Sequence, residues 1–153
     1  MAKDKPVYEE NTEFNQMASS IVKKYPEKFH GIEADKICCT NITNKENPKK
    51  KDGMTLGDLN ERGWSTIAVK MPMALHSPYD FYVVIFGSDW NELNEKQKLV
   101  FVADVLHSIG KEKGTVNPCD TKGYHSIFKT FGIDYLSCPD IPHILNDKIE
   151  WKD

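Results

Sequence analysis

Asn94-Glu95-Lys96-Gln97-Lys98-Leu99-Val100-Phe101-Val102-Ala103-Asp104-Val105-Leu106-His107-Ser108-Ile109-Gly110 decides the fold. Asn94 with Gln97 three residues on has the form of a capping box, which opens a helix, and Gly110 closes it. On a helical wheel Leu99, Phe101, Val102, Val105, Leu106 and Ile109 fill about half the circumference, and Val100 lies on the other side. Such a helix is buried on most faces. Ala103 and His107 share one edge of it with Asp104 beside them, a polar strip where a cleft is expected.

The elements around this helix can be read outward from it. Tyr79 to Phe86 is aromatic, β-branched and continuously apolar, which predicts a well-buried strand, broken by Gly87-Ser88-Asp89. Ser65 to Met71 alternates and predicts a strand with one wet face. Asp35 to Ile42 predicts a shorter extended piece. Phe14, Met17, Ala18, Ile21, Val22 and Tyr25 form a helical stripe, with Thr12 as its cap and Pro26 as its stop. Asp120 predicts the N-cap of a second C-terminal helix carrying Tyr124, Ile127, Phe128 and Phe131 on one face, closed by Gly132. The tail from Ile133 to Asp153 shows little periodicity and is expected to pack irregularly around Tyr135 and Trp151. The expected architecture is α+β, with an N-terminal helix, a short mixed or antiparallel sheet and two C-terminal helices. One domain spans 1–153, with 1–11 as a flexible arm and 43–53 as an exposed loop that includes Pro48-Lys49-Lys50-Lys51.

Composition narrows the function. A chain of 153 residues that is 39% hydrophobic can bury one substantial core. Lys plus Arg number 20 against 23 Asp plus Glu, a net charge of −3, and phosphate backbones call for the opposite balance. A nucleic-acid ligand is therefore not expected directly, whereas a protein partner with a basic surface is compatible. No apolar run approaches the ~20 residues that span a bilayer, and no hydrophobic signal-peptide core follows Met1-Ala2-Lys3-Asp4-Lys5-Pro6. The expected location is the cytoplasm, without membrane attachment. The four cysteines form neither a disulfide framework nor a zinc-ribbon pattern, and Cys38, Cys39 and Cys138 are expected to be free thiols at partly buried positions.

The segment from Tyr79 to Leu136 resembles the phage metallopeptidases, a small zincin-like group. In that family a strand leads to a helix bearing His-Glu-Leu-Leu-His, then a loop, then His-Asp before an amphipathic helix with an aromatic in its second turn and a closing Gly. Here the corresponding residues are Asp80 to Phe86, Ala103-Asp104-Val105-Leu106-His107, Cys119-Asp120, Tyr124 and Gly132. The resemblance puts His107 at the second zinc-ligand position, Cys119 at the third and Asp104 at the general-base position. Ala103 stands where the first ligand would be, and alanine binds no metal.

A catalytic zinc takes three protein ligands and keeps an open position for water. His107 and Cys119 supply two. Asp104 cannot be both a third ligand and the base, and it is one methylene shorter than Glu. His125 falls in the second helix, on another face. The ordinary alternatives are a His107 hydrogen-bonded to a backbone carbonyl, a solvated Asp104 or one paired with a lysine, and Cys119 as a small apolar filler. A Cys119–His107 nucleophilic pair has no support in the spacing beyond the family positions.

The resemblance implies a catalytically inactive relative that works as a protein-binding module, with no cofactor. Its expected partner is a host or phage protein, and inhibition of a host immune effector in the manner of anti-CRISPR proteins is one concrete form. Zincin sheets bind extended chain along an edge strand, a mode that can outlive the metal. The competing expectation is an atypical zinc-dependent metallopeptidase or hydrolase with His107 and Cys119 as ligands.

Overall fold

The computed structural model describes residues 7–44, 64–69, 72–109, 125–131, 135 and 140–151. The elements are strand β1 (Tyr8–Glu10), helix α1 (Thr12–Lys24), strand β2 (Ile37–Ile42), strand β3 (Trp64–Ala68), strand β4 (Phe81–Phe86), helix α2 (Gly87–Glu92), helix α3 (Glu95–His107) and helix α4 (His125–Phe131). Short 3-10 turns precede β2 and β4, at Ala34–Lys36 and Met73–Leu75. The class is α+β, as the sequence implies. Of the exposed loop expected at 43–53, residues 45–53 lie outside the described residues, and so does the start of the Asp120-capped helix.

The sheet has the order β1-β2-β4-β3 and is mixed. β2 and β4 run parallel with Cys39 opposite Val83, and β3 and β1 pair antiparallel on either side. In β4 only Phe81, Val83 and Ile85 are buried, and Tyr82, Val84 and Phe86 are half-buried. The continuous apolar run thus corresponds to a one-sided strand. Alternate side chains of a strand face opposite ways, and the inward set joins Ile37 and Cys39 of β2 in the core.

Two elements are not evident from periodicity. β1 lies inside 1–11, and all three of its residues are exposed, so backbone pairing with β2 rather than apolar pattern forms it. α2 occupies the stretch read as a break after β4. Six residues cannot sustain a helix alone, and Trp90 anchors this one. Its ring contacts Phe14 and Phe101 at centroid distances of 6.2 and 6.1 Å. Its Nε1 donates to Glu13 Oε1 at 3.0 Å, and Glu13 also pairs with Lys98 at 2.8 Å. Gly87 permits the turn, since an added Cβ would meet the Ile42 carbonyl oxygen at 3.2 Å.

α1 buries Phe14, Ala18 and Ile21 and packs on both β2 and α3. Its cap is Asn11 rather than Thr12. The Asn11 side chain accepts from Phe14 N–H at 3.0 Å, and its own N–H donates to the Cys39 carbonyl at 2.8 Å, which ties the helix start to the sheet. α3 begins with the expected capping box. The Gln97 N–H donates to Asn94 Oδ1 at 2.8 Å, and the Asn94 N–H donates to Gln97 Oε1 at 3.0 Å. Every residue from Leu99 to Leu106 is buried. Six of them are Leu, Val or Phe, a contribution on the order of 10 kcal/mol at about 1.5–3 kcal/mol each.

Because the capping box satisfies two otherwise orphaned N–H groups, Asn94→Ala should cost about 1 kcal/mol. A chain of this size should then melt about 2–4 °C lower, by calorimetry or circular dichroism. An unchanged melting temperature would mean that packing alone fixes the start of α3.

Candidate functional site

Full burial of α3 decides the fate of the residues in the metallopeptidase-like segment. Ala103 has no exposed surface, and its methyl group is part of the core. Asp104 is also fully buried, and the Tyr135 hydroxyl donates to its Oδ2 at 2.5 Å. That length suits an O–H donor to a charged acceptor. Tyr135 is itself fully buried, and its carbonyl accepts from Gln97 Nε2 at 3.4 Å. Asp104 is therefore not the solvated carboxylate that one of the ordinary expectations describes. A carboxyl in the core costs several kcal/mol unless hydrogen bonds replace its water, and Tyr135 supplies one.

His107 sits one turn further on, half-buried at the end of α3. Its Nδ1 lies 2.6 Å from the Ala103 carbonyl oxygen. A carbonyl only accepts, so Nδ1 carries a proton and donates it to that oxygen. The bond to a backbone carbonyl is the ordinary fate expected for this histidine. Phe29 stands edge-on to the imidazole at 5.5 Å, and Trp151 lies tilted against it at 6.4 Å.

At the Ala103, Asp104 and His107 edge, where a cleft is expected, the Tyr135 hydroxyl donates to Asp104 and Trp151 lies against the His107 ring. An open groove of about 550 Å³ lies elsewhere, lined by Asn15, Gln16, Ser19, Ser20, Asp35 and Tyr79 among others. Cys119 and Asp120 lie outside the described residues, and so does Cys138. Among the described residues no group of three or more His, Cys, Asp and Glu side chains is placed to hold a metal ion.

The described donor set does not fit a catalytic zinc. At the position that the resemblance gives to the first ligand stands a core methyl group, and at the one it gives to the base a carboxylate hydrogen-bonded to a tyrosine inside the protein. The bond from His107 Nδ1 to a backbone carbonyl orients the ring as metal-binding histidines are often oriented. The cysteines of β2 offer no alternative centre. Burial pushes the Cys39 thiol far above its ordinary range, and burial also raises Cys38, where a hydrogen bond with Thr40 opposes the shift. Thiols held in the neutral form are poor nucleophiles and poor ligands.

Tyr135 is the functional-edge residue that pattern reading did not connect to Asp104. The signal for it is a carboxylate set among apolar positions on every side, since such a group must find a donor from another element. No helix among the described residues is long and apolar enough to cross a membrane.

Comparison with known proteins gives one result. The family model described as putative phage metallopeptidase matches residues 7–145, which takes in every strand and helix from β1 to α4. No curated protein and no solved structure matches the chain. With the match covering well over half of its length, the chain belongs to the putative phage metallopeptidase family.

Proposed function

We propose that this chain is a catalytically inactive member of its family that acts as a protein-binding module. The observation that carries the reading is Asp104, fully buried and hydrogen-bonded to Tyr135 at the position where a general base must meet water. A base works only within ~3 Å of the proton it takes, directly or through one water. Ala103 beside it removes a ligand. The expected partner is a host or phage protein in the host cytoplasm, and inhibition of an immune effector in the anti-CRISPR manner is the concrete form proposed. A net charge of −3 favours a partner with a basic surface, an effect that mainly raises the association rate and weakens with salt. The proposal needs no cofactor, membrane or direct nucleic-acid contact.

A second reading has one observation in its favour. The hydrogen bond from His107 Nδ1 to the Ala103 carbonyl fixes the orientation of the ring, as such bonds do in metal-binding histidines. An atypical zinc enzyme or hydrolase would use Nε2 together with Cys119.

Elemental analysis of the purified protein separates the two. The inactive reading predicts no stoichiometric zinc and no chelator-sensitive proteolysis, with the His107→Ala variant keeping the biological effect. About one zinc per chain, lost in His107→Ala, would favour the enzyme instead. Affinity capture from host lysate should enrich a specific protein in a salt-dependent manner, and enrichment of nothing above background would count against the binding role.

Restoring the missing ligand should fail. Ala103→His forces a larger, polar side chain into the core, so it should cost about 1–3 kcal/mol or more and give no chelator-sensitive activity. A variant as stable as the parent, with new zinc-dependent proteolysis, would show that the site had been only one residue from function.

A further inference from the structure

The family match ends at Leu145, and the chain changes character there. Ile144 is fully buried and anchors the tail. Asn146, Asp147, Lys148 and Glu150 are exposed and Ile149 is half-buried, and then Trp151 turns inward. Its indole meets Tyr25 at 5.4 Å, Phe29 at 5.8 Å, Phe131 at 5.5 Å and His107 at 6.4 Å. The Lys28 ammonium lies 5.2 Å from the centre of the same ring. One aromatic anchor therefore sits at the end of a largely exposed leash.

The side chains of Lys24 and Tyr25 clamp the base of the leash. Lys24 Nζ donates to the carbonyls of Ile144, Leu145 and Asp147 at 2.7, 2.8 and 2.8 Å, which uses all three of its N–H groups. The Tyr25 hydroxyl donates to the Ile144 carbonyl at 2.9 Å. The anchor itself is held less completely. Trp151 Nε1 is buried with no hydrogen-bond partner among the described residues. A buried donor without an acceptor has lost its water and gained nothing in return. The His107 Nε2 atom is buried in the same region.

We propose that 146–151 form a removable plug. Trp151 closes an aromatic pocket built by Tyr25, Phe29, His107 and Phe131, and release of the Lys24 clamp lets the segment lift and opens His107 Nε2 to solvent. The pocket belongs to the family-matched part of the chain, and its occupant comes from beyond it. Segments with few buried contacts open at much lower free energy than the core, and only Ile149 and Trp151 of this leash pack against the core, both partly buried. Access to His107 is controlled in this way whether or not the imidazole binds metal, so the proposal is independent of the inactive-enzyme reading.

The test is diethylpyrocarbonate modification of the folded, full-length protein, followed at each histidine by peptide mass. His30 and His76 are exposed and serve as internal references. In the parent, His107 should react at least about tenfold more slowly than either, since reaction must wait for local opening. Trp151→Ala and Lys24→Met should each raise the His107 rate several-fold, by about tenfold for Trp151→Ala, and leave His30 and His76 unchanged. Parent His107 reacting as fast as His30 would overturn the plug, as would an unchanged His107 rate in both variants. A rise in Trp151→Ala alone would overturn the clamp assigned to Lys24. If Trp151→Ala does not fold cooperatively, Lys24→Met decides alone, and an unchanged rate there overturns the proposal.

Discussion

Burial of α3 on every side is the constraint on which the rest of the structure depends. A helix with apolar residues on most of its faces cannot lie at a surface, so other elements must cover it. α1 and α4 pack against it, Trp90 of α2 reaches Phe101, and the tail contributes Tyr135. In a working zinc peptidase one strip of the corresponding helix must stay open to water, metal and substrate. Ala103 and Asp104, which the resemblance places on that strip, have no exposed surface in this chain. The helix is a core element along its central turns.

The polar residues left on it are accommodated as structure. Leaving a buried acceptor without its donor costs about 1–3 kcal/mol. The hydrogen bond from Tyr135 offsets part of that cost for Asp104. His107 makes a comparable arrangement with less burial: one nitrogen is committed to the carbonyl one turn back, and the ring is enclosed by Phe29 and Trp151.

Much of this was legible in the sequence where local rules apply. The Asn94 and Gln97 pair marked the start of α3, the stripe from Phe14 to Tyr25 marked α1, and the apolar circumference of α3 foretold its burial. The resemblance from Tyr79 to Leu136 led to the family that the match over 7–145 then showed. What escaped depends on tertiary partners. β1 has no apolar pattern and exists because β2 offers it an edge. α2 is too short to signal itself and is held by one tryptophan. Asn11 rather than Thr12 caps α1, since it is the residue that also reaches Cys39. The tail was expected to gather around Tyr135 and Trp151, but no spacing rule reveals that these two residues meet Asp104 and His107, which are 31 and 44 positions earlier in the chain.

The central claim is that Asp104 is a structural carboxylate coupled to Tyr135. A double-mutant cycle tests it most directly, with Asp104→Ala, Tyr135→Phe and the pair compared with the parent by denaturant unfolding. A buried hydrogen bond of this kind predicts that Tyr135→Phe alone costs about 1–3 kcal/mol and that the two residues are coupled by more than about 1 kcal/mol. Effects that simply add, with Tyr135→Phe close to neutral, would contradict the account and return Asp104 to the list of groups free to do chemistry.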